Sequence, residues 1–359
     1  MPGEVGSIPS EMLAAVYDAP GRVAAKRVPV PSIGAGELLV RVEACGICGT
    51  DLKKIAHGLQ SPPRIYGHEF AGTVVRAGAG APWRSGQRVA VYHHVPCRSC
   101  YLCCRGAYSQ CAAYKKTGTT AGFEPAGGGW AQFVRVMDWV ARDGVLEVPT
   151  HVIFQQASLM EPINTCLKCV RTMKLQPGET VVIFGQGPIG LMLTELCVLE
   201  GAKVIGVDVM ASRLERSRRF GAFAAVNPRK QSVLDVTGSL PGGGADAALV
   251  ATPSETAVED AIKAARPAGR IMLFAQTERE QTMALPVGQV CVLEKQILGS
   301  YSSSIDLNEE VAGLLFNDRV RGGELISHTF PLEEIAEAIS LAQNPDDKTL
   351  KIVIEPNKE

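Results

Sequence analysis

Four cysteines lie in one short segment and could together hold a metal ion. Cys97, Cys100, Cys103 and Cys111 follow the spacing C-x2-C-x2-C-x7-C. Thiolates this close in sequence can converge on one tetrahedral ion with no open position, which is the arrangement of a structural zinc site. An iron–sulfur cluster also takes four thiolates, but neither of the usual ferredoxin spacings is present. The spacing therefore predicts a structural zinc, with the neighbouring Cys104 outside the ligand set.

A second group of possible ligands precedes the cysteine loop. Cys48 lies in the run G-I-C-G-T-D, and His68 and Glu69 lie in the run G-H-E. All three residue types can bind zinc, and three protein ligands leave a position for water or substrate, as in a catalytic site. A His–Glu pair at a strand end is also commonly a polar pair that satisfies its own hydrogen bonds. On spacing alone, both interpretations stay open.

A glycine-rich turn stands between a predicted strand and a predicted helix. The apolar run 181–184 leads into G-x-G-x-x-G at 185–190, and a helical pattern follows at 191–199. Glycines let the backbone approach a pyrophosphate, and the helix N-terminus offers free N–H groups. The turn residues predicted to bind a dinucleotide are Gly185, Gly187, Pro188, Ile189 and Gly190.

Asp208 ends the next predicted strand. A carboxylate at this position accepts hydrogen bonds from the adenosine ribose and repels a 2′-phosphate, so it favours NAD over NADP. Arg213, five residues later, could instead favour NADP, because an arginine there can bind the 2′-phosphate. Beside the carboxylate we expect Arg213 to lie along the adenine or to form a surface ion pair, and we predict NAD.

The order of predicted elements divides the chain into two parts. Short β-rich runs between Gly and Pro clusters occupy residues 12–140, which is typical of an antiparallel barrel or sandwich. From residue 180, apolar strands alternate with helical patterns, which indicates a parallel, doubly wound sheet. Two helical patterns and a strand follow residue 300. This tail is too short to be a domain by itself, so we expect it to pack on the first part.

The chain of 359 residues is long enough for two domains at about 150 residues each. We predict an α/β protein in which residues 12–160 and 301–359 form a split catalytic domain. Residues 161–300 are predicted to form an inserted dinucleotide-binding domain, and residues 1–11 a flexible leader.

Composition excludes several classes of protein. Lys and Arg total 36 against 37 Asp and Glu, so no global charge attracts nucleic acid or an anionic membrane. No apolar stretch approaches the ~20 residues that a bilayer span needs. The eleven cysteines and the first residues do not fit an exported, disulfide-bonded protein. We expect a cytoplasmic protein that acts on a small molecule.

These motifs together resemble the zinc-dependent medium-chain alcohol dehydrogenase family over residues 12–356. The most specific stretch is G-H-E-F-A-G at 67–72, followed by Gly78 and Ala81. The resemblance implies a GroES-like catalytic domain beside a Rossmann domain. It also implies that Cys48 and His68 bind a catalytic zinc, the second of two zinc ions per chain.

One branch of this family, the polyol and threonine dehydrogenases, has a Glu beside the zinc-binding His and a second acidic residue in an E-P pair. Glu69 and Glu161 match those positions. The resemblance implies that one of the two carboxylates binds the zinc at a given moment, and it leaves open which. It therefore implies NAD-dependent oxidation of a secondary alcohol of a polyol, cyclitol or sugar, with an L-threonine-type amino alcohol as the alternative substrate.

The family resemblance also indicates a proton relay. Thr50 occupies the position whose hydroxyl passes the substrate proton outward. Many members have a His five residues after the catalytic Cys, where this chain has Lys53, so the relay could instead run through the ribose and water. His94 resembles a histidine near the substrate in threonine dehydrogenases. A homodimer or homotetramer is implied, and a non-catalytic dinucleotide-binding relative remains the other class of function.

Overall fold

The computed structural model describes residues 8–93, 95–113, 127–275 and 282–358. It divides into two compact units. The first is formed by Met1–Asn164 with Ser303–Glu359, and the second by Thr165–Ser302. The boundaries expected from the sequence, after residues 160 and 300, lie a few residues before these positions.

The strands of the described residues are, in chain order, β1 (Glu11–Ala19), β2 (Arg22–Pro29), β3 (Leu38–Gly46), β4 (Arg64–Ile65), β5 (Glu69–Ala77), β6 (Arg88–Val91), β7 (Phe133–Val136), β8 (Val145–Glu147), β9 (Thr180–Phe184), β10 (Lys203–Val207), β11 (Ala224–Val226), β12 (Ala245–Val250), β13 (Ala265–Leu273), β14 (Gln296–Gly299), β15 (Ile326–Pro331) and β16 (Lys351–Glu355). The helices are α1 (Gly49–Ala56), α2 (Asp138–Asp143), α3 (Phe154–Ala157), α4 (Met160–Met173), α5 (Pro188–Leu199), α6 (Ala211–Arg219), α7 (Val233–Gly238), α8 (Glu255–Ala264), α9 (Val287–Val292), α10 (Asn308–Phe316), α11 (Gly322–Leu325) and α12 (Ile335–Gln343).

The first unit is built on two sheets. One has the order β2-β1-β4, and the other has the order β15-β16-β3-β5-β6-β8, with β7 paired to β3. Apart from the parallel β15–β16 pair, the strand pairs within these sheets are antiparallel. The C-terminal strand β16 therefore lies beside β3, with Ile354 opposite Cys45 and Val353 opposite Gly46. This pairing brings the end of the chain to the start of α1.

The second unit contains one six-stranded sheet. Its order is β11-β10-β9-β12-β13-β14, and each neighbouring pair is parallel. The chain order therefore reverses beside β9, which is where dinucleotides bind in sheets of this order. The predicted α/β fold class is confirmed.

The two cores explain the two sequence patterns. In the first unit, the fully buried rings of Tyr17, Tyr66 and Trp130 pack edge to face, with centroids 5.5 and 6.3 Å apart. In the second unit, strands such as β9 and β12 are buried on both faces between helices. The sequence of a parallel strand that is covered on both faces is continuously apolar. In an antiparallel strand with one face exposed to solvent, apolar and polar residues alternate.

Residues 8–11, the described part of the predicted leader, take part in the fold. Residues 1–7 lie outside the described residues, but Glu11 already pairs with Pro29 in the β1–β2 ladder. The Val30 N–H also donates to the Ser10 carbonyl at 3.0 Å. Ile8 packs against the buried core. The prediction that residues up to 11 form a leader was wrong at its C-terminal end, because β2 supplies a pairing partner that the sequence pattern did not reveal.

Among the described residues, no helix combines the length and the apolar character needed to cross a membrane.

Candidate metal centres and dinucleotide loop

The four predicted cysteines converge in the first unit. The Sγ atoms of Cys97, Cys100, Cys103 and Cys111 lie within 4.8 Å of one another. Cys97 and Cys111 are 3.6 Å apart, and Cys97 and Cys103 are 4.0 Å apart. Zinc–sulfur bonds of about 2.3 Å in a tetrahedron place sulfur atoms about 3.8 Å apart. The donor set and its spacing therefore fit a zinc ion with four thiolate ligands.

The local structure of this loop explains the convergence. Cys103 starts a short 3-10 turn, Cys103–Arg105, and Cys111 follows a second one, Tyr108–Gln110. Hydrogen bonds from the Ser99 backbone lower the pKa of the Cys97 thiol to about 6, whereas burial raises that of Cys103 to about 12. A divalent cation would favour the thiolate form of all four.

Loss of one cysteine of this loop should destabilise the first unit. We expect Cys100→Ser to lower the melting temperature by roughly 5–15 °C, because a structural metal site contributes directly to folding free energy. Cys104→Ser is the matched control, since Cys104 is exposed and lies outside the four-thiol group. Differential scanning fluorimetry decides the matter: equal melting temperatures for the two variants would contradict a structural metal at this loop.

A second group of donor atoms forms around the start of α1. Cys48 is the N-cap of α1, and its Sγ accepts a hydrogen bond from the Thr50 N–H at 3.4 Å. His68 directly precedes β5, and Glu69 is the first residue of that strand. The ligand atoms of Cys48, His68 and Glu69 lie within 4.8 Å of one another. Thiol, imidazole and carboxylate groups are the donor types that zinc prefers, so the site suits a divalent cation.

Asp51 orients the histidine of this group, and sequence reasoning missed it. The Asp51 carboxylate is fully buried, and its Oδ2 lies 2.9 Å from His68 Nδ1. Burial raises the pKa of this carboxyl, but the charge and hydrogen bond of His68, together with the charges of Lys54 and His93, hold it below its usual value. A carboxylate on one ring nitrogen fixes the tautomer and leaves the other nitrogen for a metal. The C-G-T-D run was the available signal.

Lys351 also joins this site without having been predicted. Its Nζ lies 2.7 and 2.5 Å from the two carboxylate oxygens of Glu69 and 3.0 Å from the Ile47 carbonyl. Burial lowers the pKa of Lys351, but the charge and hydrogen bond of Glu69, together with the charges of Cys48 and Glu161, raise it above its usual value. Gly46 makes room for this pair, because a Cβ there would lie 2.1 Å from Glu69 Oε2. Lys351 therefore holds Glu69 in a space that the glycine at position 46 leaves open.

Glu161 is buried in the first turn of α4 and raises the pKa of Lys351 through its charge. It does not belong to the compact group of Cys48, His68 and Glu69 among the described residues. Glu69 is thus the carboxylate that the described structure brings next to Cys48 and His68.

The other candidate relay residues lie on α1 and after β6. Thr50 and Lys53 are half-buried on α1, whereas His94 lies outside the described residues. His93, which the sequence did not single out, is buried with its ring 5.3 Å from that of His68. Burial, together with the charges of His68 and Lys54, lowers the pKa of His93 well below 6.5. A neutral imidazole therefore packs against His68.

The glycine-rich turn of the second unit has the predicted shape. Gly185 follows β9 with φ of 91°, a backbone conformation that favours glycine. Gly187 is the N-cap of α5, Pro188 is its first residue and Ile189 follows. A Cβ at Gly190 would lie 1.9 Å from the Gly185 carbonyl oxygen. The turn therefore brings the free N–H groups of α5 close to the end of β9, where they can bind a pyrophosphate.

Asp208 is buried after β10 and holds this turn. Its Oδ2 accepts a hydrogen bond from the Gln186 N–H at 2.8 Å, and its Oδ1 accepts one from the Met210 N–H at 2.9 Å. Arg213 Nη1 lies 3.7 Å from Asp208 Oδ2. Of the two positions expected for Arg213, the structure thus places it in an ion pair, but a largely buried one.

Dinucleotide preference should depend on Asp208. We expect Asp208→Gly to raise the NADP-to-NAD ratio of kcat/KM on the order of 10-fold to 100-fold, because the charge that repels a 2′-phosphate is removed. Asp208→Asn also removes the charge but keeps one acceptor oxygen for either the Gln186 or the Met210 N–H group, so it disturbs the turn less than glycine does. An unchanged ratio in both variants, measured by steady-state kinetics, would rule out this role for Asp208.

Both parts of this chain are similar to known protein families. Residues 34–150 match the family described as alcohol dehydrogenase GroES-like domain, and residues 188–317 match the family described as zinc-binding dehydrogenase. An uncharacterized zinc-type alcohol dehydrogenase-like protein of Haemophilus influenzae is 30% identical over 93% of this chain and 95% of its own length. Sorbitol dehydrogenase of Bacillus subtilis is 28% identical over 98% of this chain and 99% of its own length.

The fold is shared with solved structures. A protein assigned as a zinc-binding dehydrogenase of Sinorhizobium meliloti, crystallised with NADP, superposes with a TM-score of 0.87. It is 28% identical, and the match covers 97% of this chain and 100% of that one.

Proposed function

The chain belongs to the zinc-type alcohol dehydrogenase family, and from this premise we propose that it oxidises a secondary hydroxyl of a polyol, cyclitol or sugar to the ketone with NAD. The observation that carries the proposal is the convergence of Cys48, His68 and Glu69 at the start of α1. The similarity to sorbitol dehydrogenase supports a polyol-like substrate.

We assign Cys48, His68 and Glu69 as the residues that hold the catalytic zinc, with Glu161 as a further carboxylate nearby. Cys97, Cys100, Cys103 and Cys111 are assigned to a second, structural zinc. When bound at the first site, zinc supplies a Lewis acid that lowers the pKa of the substrate hydroxyl.

The surrounding residues of the chain position these groups and move the proton. Asp51 holds the ring of His68 through Nδ1, and Lys351 holds the carboxylate of Glu69. The substrate hydroxyl gives its proton to the Thr50 hydroxyl, which passes it outward. Because Lys53 stands where many relatives have a histidine, the outward path beyond Thr50 would use water and the ribose of a bound dinucleotide.

The second unit supplies the binding site for the electron acceptor. The loop from Gly185 to Gly190 binds the pyrophosphate, and Asp208 accepts hydrogen bonds from the adenosine ribose. When bound there, NAD would supply the acceptor for the hydride of the carbinol carbon, so that the alcohol loses one hydride and, through Thr50, one proton. The product is the ketone.

We also propose that the protein forms a homodimer or homotetramer in the cytoplasm. β14 is an edge strand, and the helix that precedes it in the chain, α9, has exposed apolar side chains, with Val287 64% and Val292 81% exposed, which supports burial of this part of the second unit against a second copy. Eleven free cysteines, four of them grouped for a metal, support a reducing compartment. Light scattering tests the assembly, and cell fractionation the location.

The test is a metal assay combined with a nicotinamide absorbance screen. We expect two zinc ions per chain and NAD reduction with a polyol, cyclitol or sugar. Turnover of threonine alone would move the substrate to the amino-alcohol class. One zinc per chain and no turnover with any of these compounds would overturn the proposal in favour of a non-catalytic dinucleotide-binding protein.

A further inference from the structure

One glutamine side chain supports the glycine turn of the second unit from inside the protein. Gln186 is the second residue of the G-x-G-x-x-G run, and its side chain is fully buried. A buried amide costs free energy unless it is hydrogen-bonded, so a small or apolar residue would be the simpler choice at this position. The glutamine is therefore expected to have a specific set of partners.

The Gln186 amide has partners at both of its ends. Its Nε2 donates to the carbonyl oxygens of Ile183 and Gly185, each at 3.2 Å. Its Oε1 accepts a hydrogen bond at 3.0 Å from the hydroxyl of Thr194, which is also fully buried. An amide turned by half a rotation would place its oxygen against two carbonyl oxygens. The three partners therefore fix the orientation of the amide.

These contacts hold one peptide unit of the turn by both of its polar groups. The carbonyl of the peptide between Gly185 and Gln186 accepts a hydrogen bond from Gln186 Nε2. The N–H of the same peptide donates to Asp208 Oδ2 at 2.8 Å. This peptide can rotate only if both hydrogen bonds break. Because the turn leads directly into α5, the orientation of the peptide determines where the free N–H groups at the start of that helix point.

The fold leaves space for the glutamine beneath the turn. A Cβ at Gly190 would lie 3.6 Å from Gln186 Nε2, which places the amide beside the first turn of α5. A Cβ at Gly206 of β10 would lie 3.0 Å from Gln186 Cδ and 2.1 Å from the Ser217 Oγ of α6. The glycine at position 206 therefore allows Gln186 and α6 to pack against β10.

We propose that Gln186 and Thr194 are positioning residues for the dinucleotide. The Gln186 amide keeps the turn in the conformation that binds the pyrophosphate, and Thr194 keeps the amide in its orientation. The proposal rests on the proposed function and concerns its cofactor site. Both side chains are fully buried, so each acts through the backbone of the turn and not by contact with the ligand. Loss of either should weaken dinucleotide binding and leave the chemical step unchanged.

The first measurement is the dissociation constant of NAD and of ADP-ribose, determined by calorimetric titration of the zinc-loaded protein without an alcohol. We expect Gln186→Met to raise both constants on the order of 10-fold to 100-fold, because methionine fills a similar volume but makes none of the three hydrogen bonds. Thr194→Val should raise both by about 3-fold to 10-fold. ADP-ribose has the pyrophosphate but no nicotinamide, so an equal loss for both ligands locates the effect at the turn.

Steady-state rates separate binding from catalysis. With an alcohol that the protein oxidises, the KM for NAD should rise in both variants, in the order of their dissociation constants. The kcat at saturating NAD should stay within about threefold of that of the unaltered protein, because neither residue touches the reacting atoms. A large fall in kcat without a rise in KM would contradict a role in dinucleotide binding.

Thr237→Val is the matched control for lost stability. Thr237 is a buried threonine of the same unit, and its hydroxyl donates to the Val233 carbonyl at 3.0 Å within α7. The control therefore removes a buried, hydrogen-bonded hydroxyl, as Thr194→Val does, from a helix that is not part of the turn. It should lower the melting temperature by a similar amount and leave both dissociation constants unchanged.

The outcomes separate this inference from the proposed function. Dissociation constants that stay within about twofold in Gln186→Met and Thr194→Val, or that rise equally in Thr237→Val, would overturn the role of Gln186. If Gln186→Met failed to fold, Thr194→Val would decide by the same criterion. NAD binding without oxidation of any alcohol would overturn the proposed reaction, and the titrations would still decide for Gln186. If the unaltered protein bound neither NAD nor ADP-ribose, both proposals would be wrong.

Discussion

Cys48→Ser is expected to remove one zinc per chain and to lower kcat/KM by at least about 1,000-fold. The serine hydroxyl is a poor replacement for a thiolate ligand, and loss of the Lewis acid costs several kcal/mol of transition-state stabilisation. Cys48 is the N-cap of α1 and is not part of the buried core, so the fold should persist. Metal analysis, steady-state rates and circular dichroism on one preparation test all three expectations.

The control for this experiment is again Cys104→Ser, which removes an exposed thiol outside both donor groups. It should keep two zinc ions and the activity of the unaltered protein. If Cys48→Ser retained both metal ions and kcat/KM within tenfold, the assignment of Cys48 would be wrong.

Lys351→Met is expected to destabilise the first unit by about 3–5 kcal/mol, because it leaves the carboxylate of Glu69 buried without its cation. Glu69 and Lys351 are both nearly inaccessible to solvent. The pKa of Lys351 in the folded protein is raised above 10.5. The contribution of its charge to the free energy of unfolding is therefore fully present below pH 10.5, and it is lost as the pH rises through the raised pKa. Urea unfolding of the metal-depleted protein at pH 7 and at pH 11 measures the difference.

The double variant Lys351→Met with Glu69→Gln is the control for the ion pair. Removal of both charges should restore much of the stability lost in the single variant, because no buried charge is then left unpaired. A double variant no more stable than Lys351→Met would indicate that Lys351 acts through packing and not through Glu69.

Local features of this protein were readable from the sequence. The cysteine loop and the glycine turn are each formed by a short stretch of chain, so residue spacing alone predicts which atoms come together. The Sγ atoms of Cys97 and Cys111 lie 3.6 Å apart, and Gly190 packs on the Gly185 carbonyl. The α/β class followed from apolar strands alternating with helical patterns, because doubly covered strands must be apolar on both faces. The metal roles of Cys48, His68 and Glu69 stay predictions.

What only the tertiary structure decided are the contacts between residues far apart in the chain. Glu69 and Lys351 are 282 positions apart, and β16 brings them together by pairing with β3. Asp51 lies on α1, His68 precedes β5 and His93 follows β6, so the folding of these three elements together places the side chains beside one another. A short sequence motif predicts contacts between residues that are close together in the chain. It does not record sheet register across the chain, and that register decides which buried charges, such as those of Glu69 and Lys351, are paired.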